Sequence, residues 1–206
     1  MHAEKIYIIV FILDELNLDV KTIINNHNND TYEKKRLSLP SAISLSCVNK
    51  SFSFSYTQTK RRTSRFVIQH ATDTIEVFLS DQFDCACDLE ALLKVIVLKL
   101  AKLYLIPFAE DVLAHYGFSS YTSLRVRNAK SRWASCSSKG VIMLSTSLLF
   151  VDAKLVTSVI LHEACHLKHM NHGKAFYAML GSYDAEYKEH KNQLRAAQAR
   201  LPWFYQ

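Results

Sequence analysis

Glycine and proline are scarce, 4 and 3 in 206 residues. So few breakers, with no low-complexity tract and no internal repeat, argue against extensive disorder. Cysteine is also sparse and odd in number: Cys47, Cys85, Cys87, Cys136 and Cys165. Without a framework spacing, this set argues against a secreted disulfide scaffold. Cys85-x-Cys87 has the wrong spacing for a zinc knuckle and is read as packing, Cys165 as core and Cys136 as structural. Long apolar runs are missing too. Ile6 to Leu13 is too short to span a bilayer, and Asp14-Glu15 follows where a signal peptide needs small residues. The stretch Leu89 to Leu105 is broken by Lys94, Lys99 and Lys102 and reads as a core helix. The expectation is a cytoplasmic protein with no membrane contact and no obligate protein partner. Acidic residues are absent between Asp111 and Asp152, where Arg125, Arg127, Lys130, Arg132 and Lys139 all fall.

What is present supports a compact fold. Apolar residues make up 49% of the chain, enough for a proper core. Ser51 to Tyr56 alternates, with Phe52, Phe54 and Tyr56 on one face, which predicts a strand. Arg65 to His70 and Thr74 to Leu79 predict a hairpin about Ala71-Thr72-Asp73. A long helix follows; Pro107 ends or kinks it, and Phe108 to Tyr116 continues helically until Gly117. Strands are expected at Ser123 to Arg127 and Val141 to Ser145, a helix from about Ala153 with Asp152 as N-cap, and further helices from Lys174 and about Ala185. The fold class is α+β, a small mixed sheet packed on helices. The organisation expected is an unassigned segment 1–50, a β-rich subdomain 51–84 and a main domain 85–206.

The most informative stretch is His162-Glu-Ala-Cys-His-Leu-Lys-His-Met-Asn-His172, which contains H-E-x-x-H. On a helix, His162 and His166 lie one turn apart on one face and can reach one metal ion. Tetrahedral zinc needs a further ligand. The spacing to His172 equals that of H-E-x-x-H-x-x-G-x-x-H metalloproteases, which makes His172 the expected third ligand. His169 and a distant carboxylate such as Asp184 or Glu186 are the alternatives. His169 stands where that pattern has glycine, so the helix exit is expected at Met170 to Gly173, with Asn171 or Gly173 in a left-handed conformation. Glu163, beside the first ligand, is the expected general base acting on a metal-activated water.

The run Lys130-Ser-Arg-Trp-Ala-Ser-Cys-Ser-Ser-Lys-Gly140, then Val141 to Ser145, His162 to His172 and Phe176-Tyr177, resembles the YgjP-like metal-dependent hydrolases. These are related to SprT-like and minimal gluzincin-type zincins. The resemblance covers roughly residues 88–200 and more weakly the part from about 51; the first fifty residues match nothing. Ala134 replaces a usual glycine, and Gly173-Lys174 a usual Ser-Pro. The resemblance implies a zincin-like fold with an H-E-x-x-H helix and one Zn2+ per chain. The leading activity is a zinc-dependent hydrolase acting on peptides or proteins. The alternatives are a metal-dependent nucleotide pyrophosphatase and a non-enzymatic, zinc-stabilised DNA-associated or partner-binding module.

Other readings concern the substrate. Arg132, in the motif, could bind a substrate carboxylate or phosphate; Arg132, Tyr177 and Tyr183 are candidates for a second electrophile. If Arg125, Arg127, Lys130, Arg132 and Lys139 flank the metal cleft, they favour an anionic substrate; otherwise they form a solvated strand face alternating with Leu124 and Val126. Val141 to Ser145 is the expected edge strand on which an extended peptide could pair.

Overall fold

The computed structural model describes residues 9–12, 38–83, 85–129 and 131–205. The chain divides into two compact units, one formed by 1–44 with 51–96 and the other by 45–50 with 97–206. The architecture is α+β throughout.

The first unit is built on a five-stranded sheet. Its strands are β1 (Ile9–Ile12), β2 (Ala42–Leu45), β3 (Lys50–Gln58), β4 (Arg65–Gln69) and β5 (Thr74–Leu79), in the order β1-β4-β5-β3-β2. The period-2 pattern of β3 works as anticipated: Phe52 is fully buried, and Phe54 and Tyr56 stack on the same face at 5.7 Å. The expected hairpin pairs antiparallel from Arg65↔Phe78 to Gln69↔Thr74. At its turn Asp73 takes φ 46, a conformation that aspartate tolerates better than most residues. Helix α1 (Ala86–Leu100) follows. Cys85 and Cys87 do not pack into the core: a disulfide joins them, and Cys87 is exposed. Their Cα atoms lie 5.3 Å apart where the chain bends into α1, well within bonding range, so the packing expectation is corrected.

The second unit positions the site. After α1 the helix neither stops nor simply kinks at Pro107. Residues Ala101–Leu105 form a π-helical turn, with Ile106 N–H reaching Ala101 O, and α2 (Ile106–His115) continues. The wider turn removes the clash that proline would make with an α-helical carbonyl four residues back. Gly117, at φ 74, ends α2 in a Schellman motif: Phe118 N–H donates to Leu113 O and Gly117 N–H to Ala114 O.

Three strands follow, β6 (Ser123–Arg127), β7 (Ala134–Cys136) and β8 (Val141–Ser145). The order is β6-β8-β7, with β6 parallel and β7 antiparallel to β8. Val141–Ser145 is therefore the central strand and cannot be the free edge that the sequence suggested. Its buried Ile142 and Leu144 explain the placement, because an apolar strand gains most where both flanks are covered. The short β7 forms the edge instead. Ala134, at a position where the resemblance implies glycine, is extended and needs no glycine freedom.

Helix α3 (Ala153–Cys165) packs against α2, β7, α4 (Lys174–Tyr183) and α5 (Tyr187–Gln198). Val156, Ile160 and Ala164 are fully buried at helical spacing. Asp152 caps it as expected, its Oδ1 accepting from Lys154 N–H at 2.9 Å. Replacing Asp152 with alanine should cost about 1 kcal/mol in urea unfolding. A loss under about 0.3 kcal/mol would show that water caps this helix equally well.

Candidate metal centre

Helix α3 delivers His162 and Glu163 from its last turn and His166 at its C-cap. The helix thus ends at Cys165, earlier than the expected exit at Met170 to Gly173. No left-handed residue makes the exit: among the described residues positive φ occurs only at Asn49, Asp73, Gly117 and Gly140, and Gly173 has φ −85. The His166 ring takes over part of that task. Its Nδ1 lies 3.0 Å from the carbonyl oxygen of His169, which accepts from it. That bond fixes the tautomer and leaves the Nε2 lone pair of His166 free.

The chain then turns so that His172 faces back. Its Nε2 lies 3.0 Å from Nε2 of His162, and ligand atoms of His162, His166 and His172 all lie within 4.8 Å of one another. Tetrahedral zinc at about 2.0–2.1 Å from each nitrogen would separate its ligands by about 3.3 Å, so the spread fits one ion. Phe176, fully buried, supports the cluster with its ring 5.0, 4.7 and 4.7 Å from those of His162, His166 and His172. Burial, the neighbouring His166 and His172, and Lys191 push the His162 pKa down to about 4. Burial, His166 and Lys191 lower that of His172 as well. Both rings are therefore neutral at pH 7, the form that binds a metal.

Glu163 is only 7% exposed. Burial raises its pKa to about 7, against the pull of a hydrogen bond from Cys136 N–H and of the Arg132 charge. The source of that hydrogen bond is the edge of β7. Ser137 N–H and Trp133 O bond to β8, so the alternate residues Ala134 and Cys136 direct their N–H and C=O groups outward. Cys136, read from sequence as merely structural, thus holds the carboxylate with its backbone.

A cleft of about 770 Å³ opens over His162 and Glu163, between the β7 edge and α5. Arg132 and Tyr177 line it. Tyr177 is 40% exposed and stacks between His172 and Tyr187. Tyr183 is not a candidate electrophile: its ring packs on Tyr116 and Phe118. Neither acid offered as an alternative ligand reaches the cluster. Asp184 accepts from Ser158 Oγ at 2.5 Å and from His190 Nδ1 at 3.0 Å, and Glu186 pairs with Lys154. His169 contributes its carbonyl rather than its ring.

The basic window also needs correcting. Of its described members only Arg132 lines the cleft. Arg125 and Arg127 lie on β6, the opposite edge of the sheet; Lys139 sits in the β7–β8 turn; Lys130 lies outside the described residues. The cations that do line it are Lys188, Lys191 and Arg195 of α5. Their signal was available in the helical phase of 187–198, not in the charge count, because Glu186 and Glu189 are interleaved with them.

Among the described residues, no helix is long and apolar enough to cross a membrane. No curated protein matches this chain. Two solved metallopeptidase zymogens resemble it. Abylysin of Pyrococcus abyssi is 23% identical, with 44% of this chain and 91% of that chain covered and a TM-score of 0.40. Jannalysin of Methanocaldococcus jannaschii is 23% identical, covering 44% and 93%, with a TM-score of 0.39. The family model for the YgjP-like metallopeptidase domain matches residues 9–197, which extends the resemblance back into the first fifty residues, and the chain belongs to that family.

Proposed function

We propose that the chain is a zinc-dependent peptidase in which His162, His166 and His172 hold one ion and Glu163 is the general base. The observation that carries this reading is the convergence of three imidazoles, one pair 3.0 Å apart, beside a buried carboxylate in a cleft bordered by a strand edge. When bound, zinc supplies Lewis acidity, activating a water and polarising a carbonyl. The remaining work falls to the chain. Glu163 takes a proton on its carboxylate and returns it to the leaving nitrogen. Its desolvation makes it a stronger base than an exposed glutamate, and Cys136 N–H keeps it aimed. The outward N–H and C=O of Ala134 offer an extended peptide a strand to pair with. Arg132 would steady negative charge at the reacting carbonyl.

The test is cleavage of unfolded proteins and mixed peptides by zinc-loaded protein, with products identified by mass spectrometry. Cleavage that stops on chelation and returns with zinc is the expected result. Loaded protein that leaves every peptide intact but hydrolyses nucleoside triphosphates would instead establish the pyrophosphatase alternative, which the stacked Tyr177 and Tyr187 beside Lys188 favour. A purely structural zinc role leaves the buried charge of Glu163 without a use.

A further inference from the structure

Helix α5 sorts its charges by phase. At about 100° per residue, Lys188, Lys191 and Arg195 fall within roughly 60° of arc, while Glu186 and Glu189 lie on the far side. All three cations and Arg132 are exposed and line the cleft, where Glu163 is the sole acid among the described lining residues. Among the described residues none of the four is engaged in an ion pair, whereas Glu186 is bound to Lys154 and Glu189 accepts from Gln193. Four cations outside any ion pair, of which Arg132 alone acts on the Glu163 carboxylate, focus a positive potential into the cleft.

We infer that this cleft selects peptide segments with Asp or Glu side chains close to the scissile bond, read by Lys188, Lys191 and Arg195 of α5 together with Arg132. The inference rests on the peptidase reading and adds its substrate class. The shape of the row favours an extended chain over a compact polyphosphate. From Lys188 to Arg195 it runs about 10 Å along the helix. Same-side residues of an extended peptide recur about every 7 Å, so such a row meets two of them. Lys188 and Lys191 carry flexible ammonium groups that can follow carboxylates in varied registers, and Arg195 and Arg132 offer planar guanidinium groups that can pair with a carboxylate bidentately.

Binding is measured with zinc-loaded Glu163→Gln protein, so that turnover does not intrude. Fluorescently labelled acidic, neutral and basic peptides of equal length are compared at low and high salt, with a mixture of the four ribonucleoside triphosphates as a competitor. The acidic peptide is expected to bind roughly tenfold more tightly than the neutral one, and the advantage should shrink with salt. The combined Lys188→Glu, Lys191→Glu, Arg195→Glu variant should prefer the basic peptide. Circular dichroism shows whether it folds. If it does not, Lys191→Gln alone should lower acidic-peptide affinity about threefold and flatten the salt dependence. Equal affinity for all three peptides overturns the inference, as does an unchanged preference in the variants. Tighter binding of the ribonucleoside triphosphates than of the acidic peptide overturns it in favour of a nucleotide site. Wild-type cleavage of peptides without charge preference would leave the peptidase reading standing, whereas failure to bind or cut any peptide would remove both.

Discussion

Glu163→Gln should keep its zinc and lose turnover by about 10²–10⁴-fold. Glutamine matches glutamate in shape, and its carbonyl oxygen can still accept from Cys136 N–H, so the floor of the cleft keeps its form. What it cannot do is take a proton. The three imidazoles are untouched, and metal content by elemental analysis should match the wild type. KM should change little, since the role proposed for Glu163 is proton transfer rather than holding substrate. Glu163→Asp separates position from chemistry: it keeps the carboxylate but draws it back by one methylene, and about 10²-fold should be lost. If Glu163→Gln cleaved peptides within about tenfold of wild type, the proton would be passing through another group and the base assignment would fall.

The elements nearest the centre differed sharply in how far they could be read from sequence. Helix α3 was legible from its N-terminus inward, because Asp152 is a side-chain cap and the Val156, Ile160, Ala164 stripe repeats at helical spacing. Strands β6 and β8 were legible from alternation and apolar content. Strand β7 was not. Ala134-Ser135-Cys136 is three residues long, with no β-branched or aromatic side chain, and pairing with β8 alone makes it a strand. Missing it had a consequence for function, because the substrate edge was then sought on Val141–Ser145.

The same limit governs the site. The histidine spacing pointed to the residues whose ring nitrogens converge, since which side chains can share a helix face is set by fixed offsets. The manner in which the chain returns to the cluster was hidden. The missing glycine at position 169 suggested a left-handed residue shortly after it, whereas a ring-to-carbonyl hydrogen bond from His166 to His169 ties the exit together. The role of Cys136 was equally hidden, since it belongs to a backbone N–H that any residue would supply. Lys188, Lys191 and Arg195 were concealed differently. Asp184, Glu186 and Glu189 cancel them in a running charge sum over 184–195, and only winding the segment into a helix separates the signs.

His172→Ala should lower zinc affinity by well over 100-fold, more than the loss of a supporting group around a metal ligand usually costs. His172 is the best position for this test because it is exposed, whereas His166 is buried against Phe176 and its removal would leave a void. A folded His172→Ala protein that loses zinc on dialysis therefore reports on ligation. Melting curves supply a second readout. A ligand bound only by the folded state adds about 4 kcal/mol when present at a thousand times its Kd, so chelation should lower the wild-type Tm and barely move that of the variant. His169→Ala is the control. It removes the ring that the sequence offered as an alternative ligand but keeps the carbonyl that orients His166, so its zinc content should stay at one per chain. If His169→Ala lost zinc and His172→Ala kept it, the 3.0 Å approach of His172 to His162 would be a contact between side chains without a shared ion. The third ligand would then have to be sought on the loop that carries His169.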